Sequence, residues 1–598
     1  MPLMGSLYVG SSGLQTSQNA LNTTAHNLSN MDTTGYVRQQ VQQSTRSYMT
    51  LAVNAKAISN QETGLGVTYS RVKHIRDYFL DKAYRRESGR SMFYQVSSEV
   101  MTEVEDQLGE MNGEAFQGTL TDFWTSIQEL AKDPSSSVTQ GLFVQSAVEF
   151  VEKAQAVYGG LKAYQDNLNA QVKDQVDTIN AYGKKILALN EAIRGIETGG
   201  IESANDLRDA RDQLLDELSQ MVDIDFGEDI RGNVWVKVEG TDFVKGERCY
   251  EIGLDVDENT GFYTPFWIQD ATYRTRADGT REYIIDGAEV FNLKKEISSN
   301  LNTDIGGLKA ILLARGDHRA DYTDVANEKV YGDVSQSILM NVQAEFDQLI
   351  HNVATKVNEI LATAAGVKQA EADVLASDGK TVLVKKGEYY CENNVGGYMR
   401  KDDGSPVQMF TKVSSDGYRK VTGKVDVKDE NGNVTGQEDV EFWVYNEENL
   451  DNPRDAQETL YSIQNLQVDD ELMQKPSMLG FRLEDGSEDK ATAESLKAAF
   501  MEEEYSLNPN VKKKASLVDY YDDLVAQIAN SGYAFRSIYT NQEGTVESVY
   551  AAREQVSGVS SDEELSNMIK FQNAYNASSR YINVLDEMLE HLLSTLGV

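Results

Sequence analysis

Leu7-Tyr8-Val9-Gly10-Ser11-Ser12-Gly13-Leu14-Gln15-Thr16-Ser17-Gln18-Asn19-Ala20-Leu21 stands near the start of the chain, and with Leu28 it places leucine at every seventh position: Leu7, Leu14, Leu21 and Leu28. The first 31 residues contain no Asp, Glu, Lys or Arg. A helix here has no charged face to give to water, so it is expected to be covered by another helix. The far end carries a matching stripe, Phe571, Tyr575, Ile582, Leu585, Leu589, Leu592 and Leu596, spaced three, four or seven apart. Both ends therefore ask for a coiled-coil partner, which predicts a subunit that completes its fold by joining an assembly.

Outward from the ends, 598 residues are too many for one core and predict about four domains. A net charge of −39 disfavours nucleic acid or an anionic membrane surface as partner, since both would repel it. No run of about 18 apolar residues predicts a membrane span. No cleavable secretory signal is recognisable at the start either. Cys249 and Cys391 are the two cysteines; they form no zinc-type cluster, and nothing requires them to pair.

Proline punctuates sparingly, with none between Pro2 and Pro134, none until Pro265, and none after Pro509, so long helices are permitted in those intervals. Leu161, Leu168, Val172, Ile179, Ile186 and Ile193 share one helical face, and Asp133-Pro134-Ser135 breaks the helical stretch that begins near Glu99. A further helix follows Ser203. From Asp223 the period shifts towards two, as in Val234-Trp235-Val236-Lys237-Val238, with a hairpin turn expected at Asp278-Gly279. Helix returns over about 335–365. A second β-rich stretch runs over about 368–500, with turns expected at Asp378-Gly379, Asp416-Gly417 and Asn431-Gly432. Helix closes the chain from about Ala515.

The expected fold class is multidomain α plus β, a helical stem from the two termini carrying β-rich inserted domains. The expected division is 1–60 with 556–598 as a terminal coiled-coil core domain, 61–222 with 306–365 and 510–555 as a helical domain, 223–305 as a β-rich domain, and 366–509 as an inserted β-rich domain.

Catalytic and metal chemistry find no constellation to rest on, so neither enzyme activity nor a cofactor is expected. Five histidines include no His-Glu-x-x-His spacing, and His26 and His591 belong with packing or the coil surface. Asp255, Asp257 and Asn259 suggest a calcium loop, but glycine comes one position late at Gly261 and Phe266 stands where the bidentate Glu belongs; a polar turn is expected. Asp429, Asn431 and Asn433 fail the same way at Val440. Arg85-Arg86 reads as a solvated helix face.

Two remote strings are more specific. Near the start, the leucine-bearing run is followed by His26-Asn27-Leu28-Ser29-Asn30 and Thr33-Thr34-Gly35-Tyr36-Val37-Arg38-Gln39. Near the end stand Val556-Ser557-Gly558-Val559-Ser560-Ser561-Asp562-Glu563-Glu564 and Phe571-Gln572-Asn573-Ala574-Tyr575. Asn27, Asn30 and Asp32 suit a helix stop, and Gly35 supplies a turn that other residues resist. Together the strings resemble the bacterial flagellar rod, hook and hook-associated proteins, and within that group its hook-filament junction branch. Ser560-Ser561 departs from the family's more usual Asn-Leu. Asn205 to Leu214 and Gly306 to Leu312 are also similar to family segments, whereas 368–505 resembles nothing nameable.

That resemblance implies an extracellular structural subunit of the flagellum, an adaptor ring joining hook to filament, exported through the flagellar secretion system without a cleaved signal. Implied partners are the hook protein, the second hook-filament junction protein, further copies of the chain in a ring, and an export chaperone at the C-terminal segment. Axial coiled-coil contacts are expected at Leu7, Leu14, Leu21, Leu28, Ile582, Leu585, Leu589, Leu592 and Leu596. The family motif falls on Asn27, Asn30, Thr34, Gly35, Tyr36 and Arg38, and on Ser557, Gly558, Val559, Asp562, Glu563, Glu564, Gln572 and Tyr575. Alternatives are another hook or rod protein, or an adhesin-like surface protein binding through 366–509.

Overall fold

Helices α1 (Leu3–Ser29), α2 (Tyr78–Gln107), α3 (Phe116–Lys132), α4 (Ser137–Glu197), α5 (Asn205–Met221), α6 (Gly307–Arg315), α7 (Glu328–Val334), α8 (Ile338–Ala364), α9 (Asp470–Gln474), α10 (Lys490–Met501), α11 (Leu517–Ser557) and α12 (Ser561–Leu596) dominate the chain. The structure is a computed structural model describing residues 3–53, 60–108, 116–199, 202–275, 281–378, 380–394, 398–428, 434–454, 456–483 and 485–597. The turns expected at Asp278-Gly279, Gly379 and Asn431-Gly432 lie outside the described residues.

Local chemistry sets the helix starts. Asp77 caps α2 by accepting from the Phe79 and Leu80 amides. Beyond the Pro134 break, Ser136 caps α4 through Val138. Ser337 and Ser516 cap α8 and α11 in the same way, each relieving a backbone donor the helix cannot satisfy. The stripe Leu161, Leu168, Val172, Ile179, Ile186 and Ile193 is buried along α4, as are Leu339, Val342, Phe346, Ile350, Val353 and Val357 along α8. Between the helices lies an aromatic core: Phe116 meets Phe346 at 5.0 Å and Tyr521 at 5.2 Å, and Phe123 meets Phe150 at 5.3 Å.

The middle stretch reads differently from its expectation. Residues 366–509 hold α9 and α10 as well as strands. Helix α10 starts at Asp489, which accepts from the Thr492 amide, and buries Ala493, Leu496, Ala499 and Phe500. Phe500 stacks on Trp124 at 5.7 Å, and Phe410 meets Phe150 at 6.5 Å, so much of this stretch packs into the helical core. Its four-stranded sheet, which includes Tyr418–Lys428 and Val434–Tyr445, has a small core of its own around Leu383, Val384, Phe442 and Val444.

Near the N-terminus, β1 (Gln39–Thr45) pairs antiparallel with β4 (Val67–His74), and β2 (Met49–Val53) with β3 (Asn60–Thr63). A four-stranded meander follows α5: β5 (Ile224–Glu228), β6 (Val234–Val238), β7 (Thr241–Lys245) and β8 (Arg248–Cys249), in that order. Val234, Val236 and Val238 are buried, and α4 passes so close that a Cβ on Gly183 would lie 2.5 Å from Phe243. Asp257 holds the turn at the suspected calcium loop by accepting from the Asn259 and Thr260 amides. Cys249 and Cys391 are free thiols.

One device joins helices to strands repeatedly. Asn180 and Asn190 on α4 each give and take a hydrogen bond with one strand residue, Ile252 and Val234 respectively. Asn358 on α8 does the same with Phe410. A primary amide presents the same donor and acceptor pair as a peptide group, so it satisfies both backbone groups of a strand residue at once.

Candidate assembly stem and its charged joint

Helices α1 and α12 lie antiparallel. Gly10 sits against Ile582 and Gly13 against Ser578, so that a Cβ at either position would come within 2.8 Å and 2.7 Å of those side chains. Small residues thus bring the two helices together, and Gly10, Ser12, Thr16, Ser17, Ala20, Thr24 and Asn27 are buried along α1. Ser12 also accepts from the Val67 amide of β4.

The leucines are placed otherwise than the heptad reading expects. Leu7 is 37% exposed, and Leu14, Leu21 and Leu28 are half-buried. On α12, Leu585 is buried and Ile582 and Leu589 are half-buried, while Leu592 is 40% exposed. The side chain of Leu596 lies outside the described residues. The physical reason is the choice of seam: glycine and serine allow a close approach that leucine would block, which turns the leucines of α1 towards the flanks.

The family-motif residues of the N-terminal string gather where the stem meets the body. Asn27 repeats the asparagine device: its amide donates to the Gln39 carbonyl at 2.8 Å and accepts from the Gln39 amide at 3.0 Å. The Tyr36 hydroxyl donates to the same Asn27 oxygen at 2.8 Å. Burial, with Asp209, Asp206 and Glu564 nearby, holds that hydroxyl protonated far above its usual range. Asn30 closes the helix on His26, Thr34 is exposed, and Gly35 takes φ +79°, a left-handed turn that suits glycine.

Arg38 ties this string to the C-terminal one. Its amide donates to the Ser557 carbonyl at 2.8 Å, and its guanidinium pairs with Glu563 at 2.6 Å. Between α11 and α12 the chain turns at Gly558, where a Cβ would lie 2.5 Å from the Glu554 oxygen. Val559 is half-buried beside it. Asp562, Glu563 and Glu564 form the first turn of α12, where carboxylates favour the positive end of the helix dipole. Glu564 is buried, Tyr575 half-buried and Gln572 exposed.

Beneath the stem lies an ion network that the sequence reading did not find. Arg85, expected on a solvated face, is 2% exposed. It donates to Asp216 at 2.6 Å and to Asp212 at 3.3 Å, and its guanidinium lies 4.2 Å from the Phe226 ring. Its neighbour Arg86 remains exposed. Arg76 pairs with Asp81 and Asp212, and Arg553 of α11 with Asp216 at 2.8 Å. Burial opposes ionisation of Asp212, but Arg76, Arg85 and Arg211 outweigh it and hold the carboxyl below its usual range. The network thus bolts α2, α5 and α11 together.

At its edge, His74 and Asp209 approach to 3.7 Å. Burial pushes the Asp209 carboxyl up to about 7, although the Val37 amide and Arg76 act against it. Burial, with Arg76 beside it, pulls the His74 imidazole down to about 4. A cavity of about 390 Å³ opens here, lined by Arg76, Arg208, Arg211 and Glu228 among others. Arg76 and Arg208 are already held by Asp81, Asp212, Glu197 and Glu228, so a foreign anion would have to displace a carboxylate.

Comparison with known proteins agrees at both ends and in the middle. Residues 101–374 match the flagellar hook-associated protein FlgK helical domain, residues 7–36 the flagella basal body rod protein family, and residues 553–595 the flagellar basal body rod FlgEFG protein C-terminal family. The chain is 25% identical to flagellar hook-associated protein 1 of Bacillus subtilis over 98% of this chain and 97% of that one. It is 22% identical to the protein of that name from Salmonella typhimurium, over 98% of each. The flagellar hook junction protein FlgK from Burkholderia pseudomallei superposes with a TM-score of 0.47 at 14% identity, covering 80% of this chain and 100% of that one. From its paired terminal helices to its helical middle, the chain is similar to the flagellar hook-associated proteins over nearly its whole length, and it is a structural component of the bacterial flagellum.

Proposed function

We propose that this chain is a non-catalytic adaptor that assembles side by side with further copies as a ring joining hook to filament. The observation carrying this reading is the stem: both chain ends converge on one antiparallel helix pair that leaves apolar side chains facing out. Ile569 is 60% exposed, Met588 54% and Leu593 55%, and large apolar side chains left exposed along α12 support a protein partner. In this reading the axial contacts are made by the leucines of α1 and by Ile582, Leu585, Leu589, Leu592 and Leu596 of α12. The motif residues around Asn27, Arg38 and Ser557 fix the angle at which the stem leaves the body.

The domain division follows with one change: 1–60 with 556–598 as the axial core, 61–222 with 306–365 and 510–555 as the helical body, 223–305 as a β-rich region, and 366–509 shared between the helical body, which its helices and Phe410 join, and a separate four-stranded sheet. The hook protein lies on one side of the ring and the second junction protein on the other. The exposed Leu592 and Leu593 near the end of α12 support an export chaperone on the C-terminal segment before the chain leaves the cell through the flagellar secretion system, uncleaved, for its extracellular place at the junction. Immunogold microscopy of native flagella tests the reading: label in one narrow band where hook meets filament is expected, and label along the hook or filament, or none, would refute it.

A further inference from the structure

A two-stranded ribbon, Thr272–Thr275 paired antiparallel with Arg281–Ile284, projects from the β region with no third strand beside it among the described residues. Such a ribbon is marginal alone in water, because neither face has a core to pack on. Its support within the chain is Phe266, whose ring meets Tyr283 at 5.1 Å. Tyr273 nonetheless stays 52% exposed and Ile284 39% exposed.

The register decides which side chains share a face. Tyr273 is opposite Tyr283 and Thr275 opposite Arg281, so these four point the same way, while Arg274 and Glu282 point the other way. On the first face the Arg281 guanidinium lies 4.7 Å from the Tyr273 ring, and the two tyrosines meet edge to face at 6.2 Å. Among the described residues that face carries a cation on an aromatic shelf and no carboxylate, in a chain of net charge −39. Tyrosine and arginine are the residues that most often anchor protein interfaces.

We propose that this ribbon is a lateral contact arm that grips a carboxylate-bearing surface of a second copy of the chain. The inference rests on the ring reading, which sets copies side by side, and the occupant follows from charge: 95 acidic against 56 basic residues make another copy a source of carboxylates. Side-by-side acidic copies repel one another, and a contact arm of opposite character offsets that repulsion where it is made.

The test uses assembled flagella carrying the full chain with a photoreactive phenylalanine analogue at position 273. Irradiation is expected to give a product of twice the chain mass, and mass spectrometry should find the linked peptide to hold Asp or Glu of the second copy. Adding Arg281→Glu should lower that yield about fivefold or more, as charge reversal at an interface rim does, while Arg281→Lys keeps most of it. The far-UV circular dichroism and melting of the purified variants should match the parent, since the ribbon is surface-exposed. Cross-linking to a different protein, or no cross-link from junctions that contain the chain, would overturn the ribbon proposal alone. Absence of the parent chain from the flagella, read on the same blot before irradiation, would remove the ring reading and the ribbon proposal with it.

Discussion

Replacing Arg85 by methionine probes the joint directly. Three guanidiniums, Arg76, Arg85 and Arg553, face three carboxylates, Asp81, Asp212 and Asp216, so this part of the network is neutral. Arg85→Met keeps the volume and the contact with Phe226 but leaves one buried negative charge in excess. Breaking a buried pair by removing one partner costs about 3–5 kcal/mol. Asp216 keeps Arg553 and Asp212 keeps Arg76, so the lower end applies, about 3 kcal/mol. Native-state hydrogen exchange on the full chain at neutral pH is the assay, read at amides 81–90 of α2 and 545–557 of α11. Loss of about 3 kcal/mol appears as exchange about 150-fold faster in both segments. The double variant Arg85→Met with Asp216→Asn restores neutrality with two guanidiniums and two carboxylates, so its loss should be smaller than the sum of the singles by about 1–2 kcal/mol. A single-variant effect below about fivefold, or strict additivity, would refute the network as a cooperative bolt.

Other outcomes follow from the stem and its edge. Gly5→Ala faces open space whereas Gly10→Val enters the seam at Ile582; the first should leave the amount of chain in isolated flagella unchanged. The second should cut it about tenfold through overpacking of about 1–3 kcal/mol, with recovery on adding Ile582→Ala, and failure of that rescue would argue against the seam. Asn27→Ala strips partners from the buried Gln39 peptide and the Tyr36 hydroxyl, so β1 amides should exchange faster by about 2–3 kcal/mol, and unchanged protection would count against the clip. Asp209, with its folded carboxyl raised from 3.8 to about 7, stabilises most below pH 3.8 and loses that contribution as pH rises through 7. Asp209→Asn should therefore stabilise the chain by about 2–3 kcal/mol more at pH 8 than at pH 5 in urea unfolding. His74, lowered from 6.5 to about 4, acts in the opposite sense, losing its contribution as pH falls through 4. Finally, amides 3–29 should be weakly protected in the free chain and strongly protected in flagella; protection equal to α4 in the free chain would refute the reading that assembly completes the stem.

What the sequence conveys is periodicity, and periodicity names a stripe without naming what lies on it. The stripe on α4 and that on α8 are legible because each is long, apolar and buried by the chain itself. The heptad of α1 is equally regular, yet its leucines face the flanks, since the contact with α12 is chosen by Gly10 and Gly13, which carry no hydropathy signal. Arg85 is missed for a related reason: its partners Asp212 and Asp216 stand 127 and 131 residues away, and a lone basic pair on a helix reads as solvated. The asparagine clips likewise join residues 44 to 72 apart on α4 and α8. Only α10 left a readable trace, in Asp489 before Ala493, Leu496 and Phe500, submerged among the turn residues that precede it.

The seam and the joint together explain why the stem is suited to wait for a neighbour. A seam of leucines would bury its apolar stripe within one chain and leave little to gain from assembly. A seam of glycine, serine and threonine holds the helices side by side while leaving leucines on the flanks, each gaining up to about 1.5–3 kcal/mol on full burial. Orientation is supplied separately, by Asn27 clipped to Gln39, Arg38 on Ser557 and Glu563, and the ion network below. Because polar contacts set the direction and apolar surface remains for the partner, the entropic cost of docking falls on fewer degrees of freedom. Stem angle and stem adhesion can then be altered independently, the first at Asn27 or Arg38 and the second at Leu7, Leu14 or Leu592.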